Sequence, residues 1–223
     1  MSSVIVIPAR MASTRLPGKP LIKKNGKTLI QHVWEQASVT NHDVVVATDH
    51  LDIKNCVESF GGTVIMTDPQ LPTGTDRCAE IIKHSDYNTI VNLQGDMPNV
   101  TSEMIEKVIA LLKDYPISTL YTTMPKHKQD DPSTVKMIRC DDQALWFGRG
   151  MTGYGDWHLG IYGFTSNVLS LYQNLTVTQE EQVEKLEQLR WLKNGFSIGC
   201  DWVEFDGLEI NTPEDYKEWC ERF

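Results

Sequence analysis

The chain has 223 residues, 40% of them hydrophobic and 23% charged, with a formal net charge of −9. That length allows one sizeable core, no apolar run approaches the ~20 residues that span a bilayer, and an acidic balance argues against a nucleic-acid partner, because duplex binding rests on neutralising phosphates with a basic face. Cys56, Cys78, Cys140, Cys200 and Cys220 are scattered without a C-x-x-C pair and read as reduced thiols, and Met1-Ser2-Ser3 leads straight into an apolar run with no signal-like segment, so a cytoplasmic location is expected.

The first strand is Val4-Ile5-Val6-Ile7, stopped by Pro8, as expected of a buried parallel strand ending at the carboxyl edge of a sheet. The loop after it sets Arg10, Arg15 and Lys19 among small residues and two prolines, Pro17 and Pro20. Ligands of open α/β sheets bind outside the carboxyl ends of the strands, so cations held there suit a polyphosphate. Neither G-x-G-x-x-G nor G-x-x-x-x-G-K-[ST] is present, and a solvated basic loop is the plainer alternative. Leu29, Ile30, Val33, Trp34 and Ala37 then recur at helical spacing, and residues 43–47 read as a second buried strand. A helix with Ile53, Val57 and Phe60 inward stops at Gly61-Gly62, with Asp49 or Asp52 as its start residue. Residues 63–66 form a third strand, and Thr73-Gly74-Thr75-Asp76-Arg77 precedes a helix carrying Cys78, Ile81 and Ile82. Hydroxyls and a glycine at that point either present N–H groups to an anion or base edge, or simply cap the helix. A fourth strand, 89–93, runs into Gln94-Gly95-Asp96-Met97-Pro98, where a carboxylate beyond a strand suits a hard cation or caps a turn. A helix follows from Thr101, with Ile105, Val108, Ile109 and Leu112 on one face, ending before Pro116.

This alternation of strand and helix predicts a parallel sheet with right-handed crossovers. From Ile117 the pattern changes to strands at 117–123, 134–139, 145–147 and 158–164, which add mixed or antiparallel pairing and the second half of a cleft. The link from Gly148 to Trp157 is short and holds four glycines. His158, alone beside an apolar strand, reads as a hydrogen-bonded core residue in preference to a catalyst. Glu180, Glu181, Glu184, Leu186, Glu187, Gln188, Leu189, Arg190 and Leu192 predict one helix with leucines inward, ended by Gly195. After a strand at 198–205, Thr212 as N-cap, Pro213 at the first helical position and acids in the first turn mark a last helix.

Across nearly its whole length the chain resembles the 3-deoxy-manno-octulosonate cytidylyltransferases, or CMP-Kdo synthetases. IPARMASTRLPGKPL is similar to the family's IPAR-x-x-S-T-R-L-P-G-K-P-L, TGTDR to S-G-T-[DE]-R, QGDMP to Q-G-D-x-P, HLGIYGF to H-x-G-[IV]-Y-x-[YF], the LEQLR segment to E-x-x-E-x-L-E-Q-L-R, and NTPED to [IV]-D-T-P-E-D. The resemblance implies one α/β domain with a mostly parallel, mixed central sheet of the nucleotide-diphospho-sugar transferase type, its nucleotide-binding part at about 1–115 and its sugar-binding and dimerisation part at about 116–223. It implies a homodimer that joins CTP to a 2-keto sugar acid and releases pyrophosphate. Pro8, Ala9, Arg10, Arg15, Lys19, Thr73, Gly74, Thr75 and Arg77 would bind the nucleotide, and Gln94, Arg149, His158, Tyr162, Glu184 and Gln188 the sugar acid. Asp96 and position 211 would hold Mg²⁺, with Arg10, Lys19 and Asp96 carrying catalysis. Four departures stand out: Pro72 where the family often has Gln, Met97 where it usually has an acid, the shortened FGRGMTGYGDW segment, and Asn211 in place of the second metal-binding aspartate. The short loop and Thr165 point to an amino-substituted sugar acid as the alternative acceptor, and Asn211 to a weakened nucleotide-binding homologue.

Overall fold

Along β1 (Ser3–Ala9) every residue but Pro8 is buried, with Val4 and Val6 in one apolar cluster and Ile5 and Ile7 in another. A strand buried on both faces needs helices on both, and the order of elements in this computed structural model, which describes residues 2–222, supplies them. A small hairpin, β2 (Lys23–Lys24) and β3 (Lys27–Thr28), is followed by α1 (Leu29–Ala37), β4 (Asp43–Thr48), α2 (Leu51–Ser59), β5 (Thr63–Met66), α3 (Gly74–Ile82), β6 (Thr89–Leu93) and α4 (Ser102–Leu111). The second part comprises β7 (Ile117–Thr122), β8 (Lys136–Cys140), β9 (Gln143–Gly148), β10 (Asp156–Thr165), α5 (Ser166–Leu169), α6 (Gln179–Glu184), α7 (Gln188–Lys193), β11 (Ile198–Trp202) and α8 (Pro213–Arg222). None of the described helices is long and apolar enough to cross a membrane.

Among the described residues nine strands form one sheet in the order β5-β4-β1-β6-β10-β7-β11-β9-β8. The chain leaves β1 for β4 on one side and later returns to β6 on the other, so the order reverses between β1 and β6. A reversal of that kind opens a crevice at the carboxyl edge. β10 runs antiparallel to both β6 and β7, and its first residues also pair with β8, which folds the second part back over the crevice. The mixed α/β sheet expected from the sequence is therefore the observed architecture. α8 packs on the loop after β1 through a separate cluster of Leu16, Leu29, Leu208, Ile210 and Trp219. Lys24 and Tyr216 add hydrogen bonds across the same junction, to the carbonyls of Trp219 and Lys23.

Three local expectations are corrected. The single helix over 180–192 is two, because Lys185 adopts a left-handed conformation (φ 56°, ψ 49°) between α6 and α7. At 3.6 residues per turn, an unbroken helix would put Glu181 and Arg190, nine positions apart, on opposite faces. The break instead lets their buried carboxylate and guanidinium meet in a fork at 2.9 and 2.6 Å. Neither Asp49 nor Asp52 caps α2: the His50 ring nitrogen accepts the Asp52 N–H, and Asp49 pairs with Arg77 at 2.6 Å. The last strand stops at Trp202, and the extended chain beyond it runs under the crevice towards α8.

Candidate active site

Three loops crowd together at the switch point because glycines let them. A Cβ on Gly95 would meet the Pro8 carbonyl at 3.1 Å, and one on Gly74 would meet Pro8 Cγ at 3.3 Å. The loop after β1 turns at Gly18, whose φ of +68° favours glycine, and then enters a short 3₁₀ turn that fixes Lys19. Asn211 is set by a reciprocal cap on α8. The Thr212 hydroxyl accepts the Asp215 N–H at 3.2 Å, while the Asp215 carboxylate accepts the N–H groups of Asn211 and Thr212 at 2.9 and 2.8 Å.

Two adjoining cavities result. The first is lined by Pro8, Ala9, Arg10, Arg15, Lys19, Thr73, Gly74 and Arg77. The second is lined by Thr75, Arg149, His158, Tyr162 and Gln188, together with Gly160, Glu209 and Asn211. Arg15, Gln94, Asp96 and Glu187 line both, so the cavities meet there. Of the residues expected to bind nucleotide, Thr75 lines the second cavity alone and Arg15 lines both. Arg77 forms the floor of the first, its guanidinium buried against Asp49 and the Thr67 hydroxyl. Arg10 is exposed and, among the described residues, donates only to the Pro72 carbonyl, at 3.4 Å. Glu184 lines neither cavity: its carboxylate accepts the Arg149 N–H at 2.7 Å and so supports the turn that carries Arg149. Thr73 caps α3, accepting the Asp76 N–H at 3.1 Å, and lines the first cavity as well.

Where the cavities meet, the Lys19 ammonium lies 2.7 Å from the Asp96 carboxylate and 3.3 Å from the Asn211 amide oxygen. Arg15 donates to the same amide oxygen at 3.1 Å. Two hard oxygens from separate loops thus converge on one cation, and such a pair fits Mg²⁺, which prefers one or two protein oxygens supplemented by water and phosphate.

Two carboxylates in this site escaped the sequence reading. Glu187, at the start of α7, accepts the Thr75 N–H at 3.1 Å, and burial raises its pKa despite that bond. Glu209 accepts the Gly160 N–H at 3.4 Å, and burial together with the negative charge of Asp96 raises its pKa to about 7. A signal existed for the second: Leu208 and Ile210 are buried, so in extended chain the residue between them faces the other way, towards Asn211's side of the backbone.

His158 is 4% exposed and touches the Phe147 and Tyr162 rings. Its Nε2 lies 3.0 Å from the Thr119 hydroxyl, which donates onward to the Ile161 carbonyl at 2.8 Å. The hydroxyl has one proton, so Nε2–H donates and Nδ1 stays bare. Burial, then the charge of Arg149, lowers the pKa from 6.5 to about 3. Unfolded chain therefore binds a proton that the folded protein refuses between these values, and stability falls as pH drops through that window. We expect a loss of about 2 kcal/mol at a pH of about 5. Urea unfolding of His158→Gln should show that much less acid destabilisation than the parent, and parallel pH profiles for the two would contradict it.

The chain matches the family model described as cytidylyltransferase over residues 4–198. It is 41% identical over 241 residues to the 8-amino-3,8-dideoxy-manno-octulosonate cytidylyltransferase of Shewanella sp. (strain ANA-3), covering 100% of this chain and 98% of that protein. It is 42% identical over 236 residues to the protein of the same name from Shewanella woodyi, covering 97% and 96%. Its fold is similar to that of a CMP:2-keto-3-deoxy-manno-octonic acid synthetase complexed with CTP, with a TM-score of 0.93, 35% identity, and coverage of 99% of this chain and 98% of the other.

Proposed function

Since this chain belongs to the 3-deoxy-manno-octulosonate cytidylyltransferase family, we propose that it transfers CMP from CTP to the anomeric hydroxyl of an eight-carbon 2-keto sugar acid bearing an amino group at C8. The observation that carries this reading is the meeting of a cationic cavity with a carboxylate-lined one at Asp96. The triphosphate takes the first cavity, where Arg10, Arg15 and Lys19 offset its charge, with Thr73 and Gly74 against the nucleoside. The sugar acid takes the second, where Arg149 matches its carboxylate and Gln94, Tyr162 and Gln188 meet its hydroxyls. Gln188 Nε2 is buried without a hydrogen-bond partner among the described residues, a donor that a sugar oxygen would satisfy. The 8-amino acceptor is preferred over the 8-hydroxy one because relatives at 41% and 42% identity, aligned over nearly their full length, carry that name.

The anomeric oxygen attacks the α-phosphorus, a new C–O–P link forms, and the bond to the β-phosphate oxygen breaks to release pyrophosphate. Such chemistry depends on alignment and on neutralising charge that builds on the phosphoryl oxygens. Two shared lining residues, Gln94 and Asp96, set the angle between acceptor and phosphate. Lys19, resting on Asp96 in the free protein, has a stem long enough to turn to a phosphate. Mg²⁺, held by Asp96 and Asn211, would supply further positive charge at the α-phosphate.

The test is pyrophosphate release with CTP and Mg²⁺ against a panel of sugar acids: the 8-amino octulosonate, its 8-hydroxy counterpart and a nine-carbon 2-keto acid. We expect turnover with both octulosonates, faster with the amino form. Absence of pyrophosphate and of a CMP-sugar with either octulosonate would overturn the reading.

A further inference from the structure

Glu209 has no role so far, and its surroundings are unusual for a carboxylate. It stands in the wall of the sugar cavity between Gly160 and Asn211, on the same side as Asp96. Its only hydrogen bond among the described residues is the long one, 3.4 Å, from the Gly160 N–H, and no ion pair reaches it there. Glu184 and Glu187 accept backbone N–H groups at 2.7 and 3.1 Å, and Glu181 has Arg190. Glu209 thus has a poor internal partner, with Asp96 repelling it and Lys128 and Arg149 attracting it through space without an ion pair, so a cation bound in the cavity would find a carboxylate free to pair.

Gly160 lets its strand approach closely, since a Cβ there would lie 3.2 Å from Gln94 Cγ and 3.7 Å from Glu209 Oε1, so a backbone N–H and no side chain faces the carboxylate. The cavity that Glu209 lines is where a cation would reach it. A bound sugar acid brings its far end to this point. In the pyranose form of an octulosonate, C6 and the anomeric C2 share the ring oxygen, and C7 and C8 hang from C6. A group on C8 can therefore fold back to the side of the reacting centre, near Asp96, without leaving the cavity. Resting on the acceptor assignment made above, we propose that Glu209 is the residue that reads the substituent at C8, pairing with the ammonium of an amino sugar acid and facing a hydroxyl only weakly. A cation there also neutralises the Asp96–Glu209 repulsion, which a hydroxyl leaves in place.

The test is the ratio of kcat/KM for the 8-amino over the 8-hydroxy octulosonate, measured with saturating CTP for the parent, Glu209→Gln and Glu209→Ala, together with a Mg²⁺ titration of each. Glutamine keeps the shape and the hydrogen-bonding oxygen but removes the charge. We expect the parent to favour the amino acceptor and the ratio to fall by roughly thirtyfold in both variants, through KM, as loss of one charge-assisted hydrogen bond predicts. Half-saturating Mg²⁺ should stay within about twofold of the parent value. A ratio that stays at the parent value while both acceptors are used would overturn the inference and leave the cytidylyltransferase reading intact. Equal losses on both acceptors with a raised Mg²⁺ requirement would also overturn it, making Glu209 a metal-supporting residue. Failure of the parent with either octulosonate would sink both readings together.

Discussion

Lys19→Ala is expected to lower kcat/KM for CMP-sugar formation by about a thousandfold, the upper range for loss of one preorganised charge at a transition state. The ammonium is held by two acceptors from distant loops, Asp96 at 2.7 Å and Asn211 at 3.3 Å, and its side chain is 19% exposed. Little side-chain freedom remains to be lost when phosphate binds, so the charge is delivered at small entropic cost. Its removal also leaves Asp96 facing Glu209 and an uncharged amide with one fewer cation nearby. Arginine at the same position should recover part of the loss through charge, but its wider planar fork cannot sit between the two oxygens as a point charge does. Because the pair is partly solvated, its contribution to stability is small and the melting temperature should move by no more than about 2–4 °C, equivalent to ~1 kcal/mol. Steady-state kinetics beside thermal melts separate the two effects. Turnover within about tenfold of the parent would remove Lys19 from the catalytic set.

The second large effect concerns stability. Glu181→Ala should destabilise the protein by about 3–5 kcal/mol, lowering the midpoint of thermal unfolding by about 10 °C. Glu181 and Arg190 are 9% and 7% exposed at their side chains and share two hydrogen bonds, with the guanidinium lying 4.1 Å over the Tyr172 ring. Truncating the acid leaves a buried guanidinium with no counter-charge, and that loss is larger than the net value of the pair. The same fork joins α6 to α7 across the left-handed Lys185, and the turn it closes aims Glu187 at Thr75. A rise in KM for the sugar acid should therefore accompany the loss of stability. Urea unfolding with a change below about 1 kcal/mol would show that the two charges do not depend on each other.

The parallel half of the fold was legible because its signals are local. Each of its main strands is a short apolar run closed by polar or turn-forming residues, and each helix keeps one face apolar, so periodicity alone places β1, β4 to β6 and α1 to α4, though not the small β2–β3 hairpin. The loop after β1, TGTDR, QGDMP and NTPED could be placed for a similar reason, since each lies at the end of a regular element where a cap or a glycine fixes the backbone, but only the family resemblance singled them out as a site. What escaped depends on contacts distant in sequence. Nothing local tells that Asp49 belongs to Arg77, 28 residues on, or that α6 and α7 must part so that Glu181 can reach Arg190. Glu184 and Glu187 look equivalent in a charge run, and only the turn at Lys185 sends one to the Arg149 backbone and the other to the cavity. Glu209 was hidden by falling in an irregular segment that the sequence treated as a connection to the last helix.

The packing of α8 on the first loop also bears on how the enzyme is made. The Tyr216 hydroxyl donates to the Lys23 carbonyl at 2.6 Å, Trp219 packs with Leu16 and Leu29, and the Asn211 amide oxygen accepts hydrogen bonds from Arg15 and Lys19. A chain emerging from the ribosome can assemble its parallel half early, since N-terminal units fold as they are released. That half carries the Arg10, Arg15 and Lys19 wall of the first cavity but not the Glu209 and Asn211 wall of the second. Glu209, Asn211 and Trp219 come from the stretch translated long after the first wall, so a growing chain withholds its chemistry until those residues clear the tunnel.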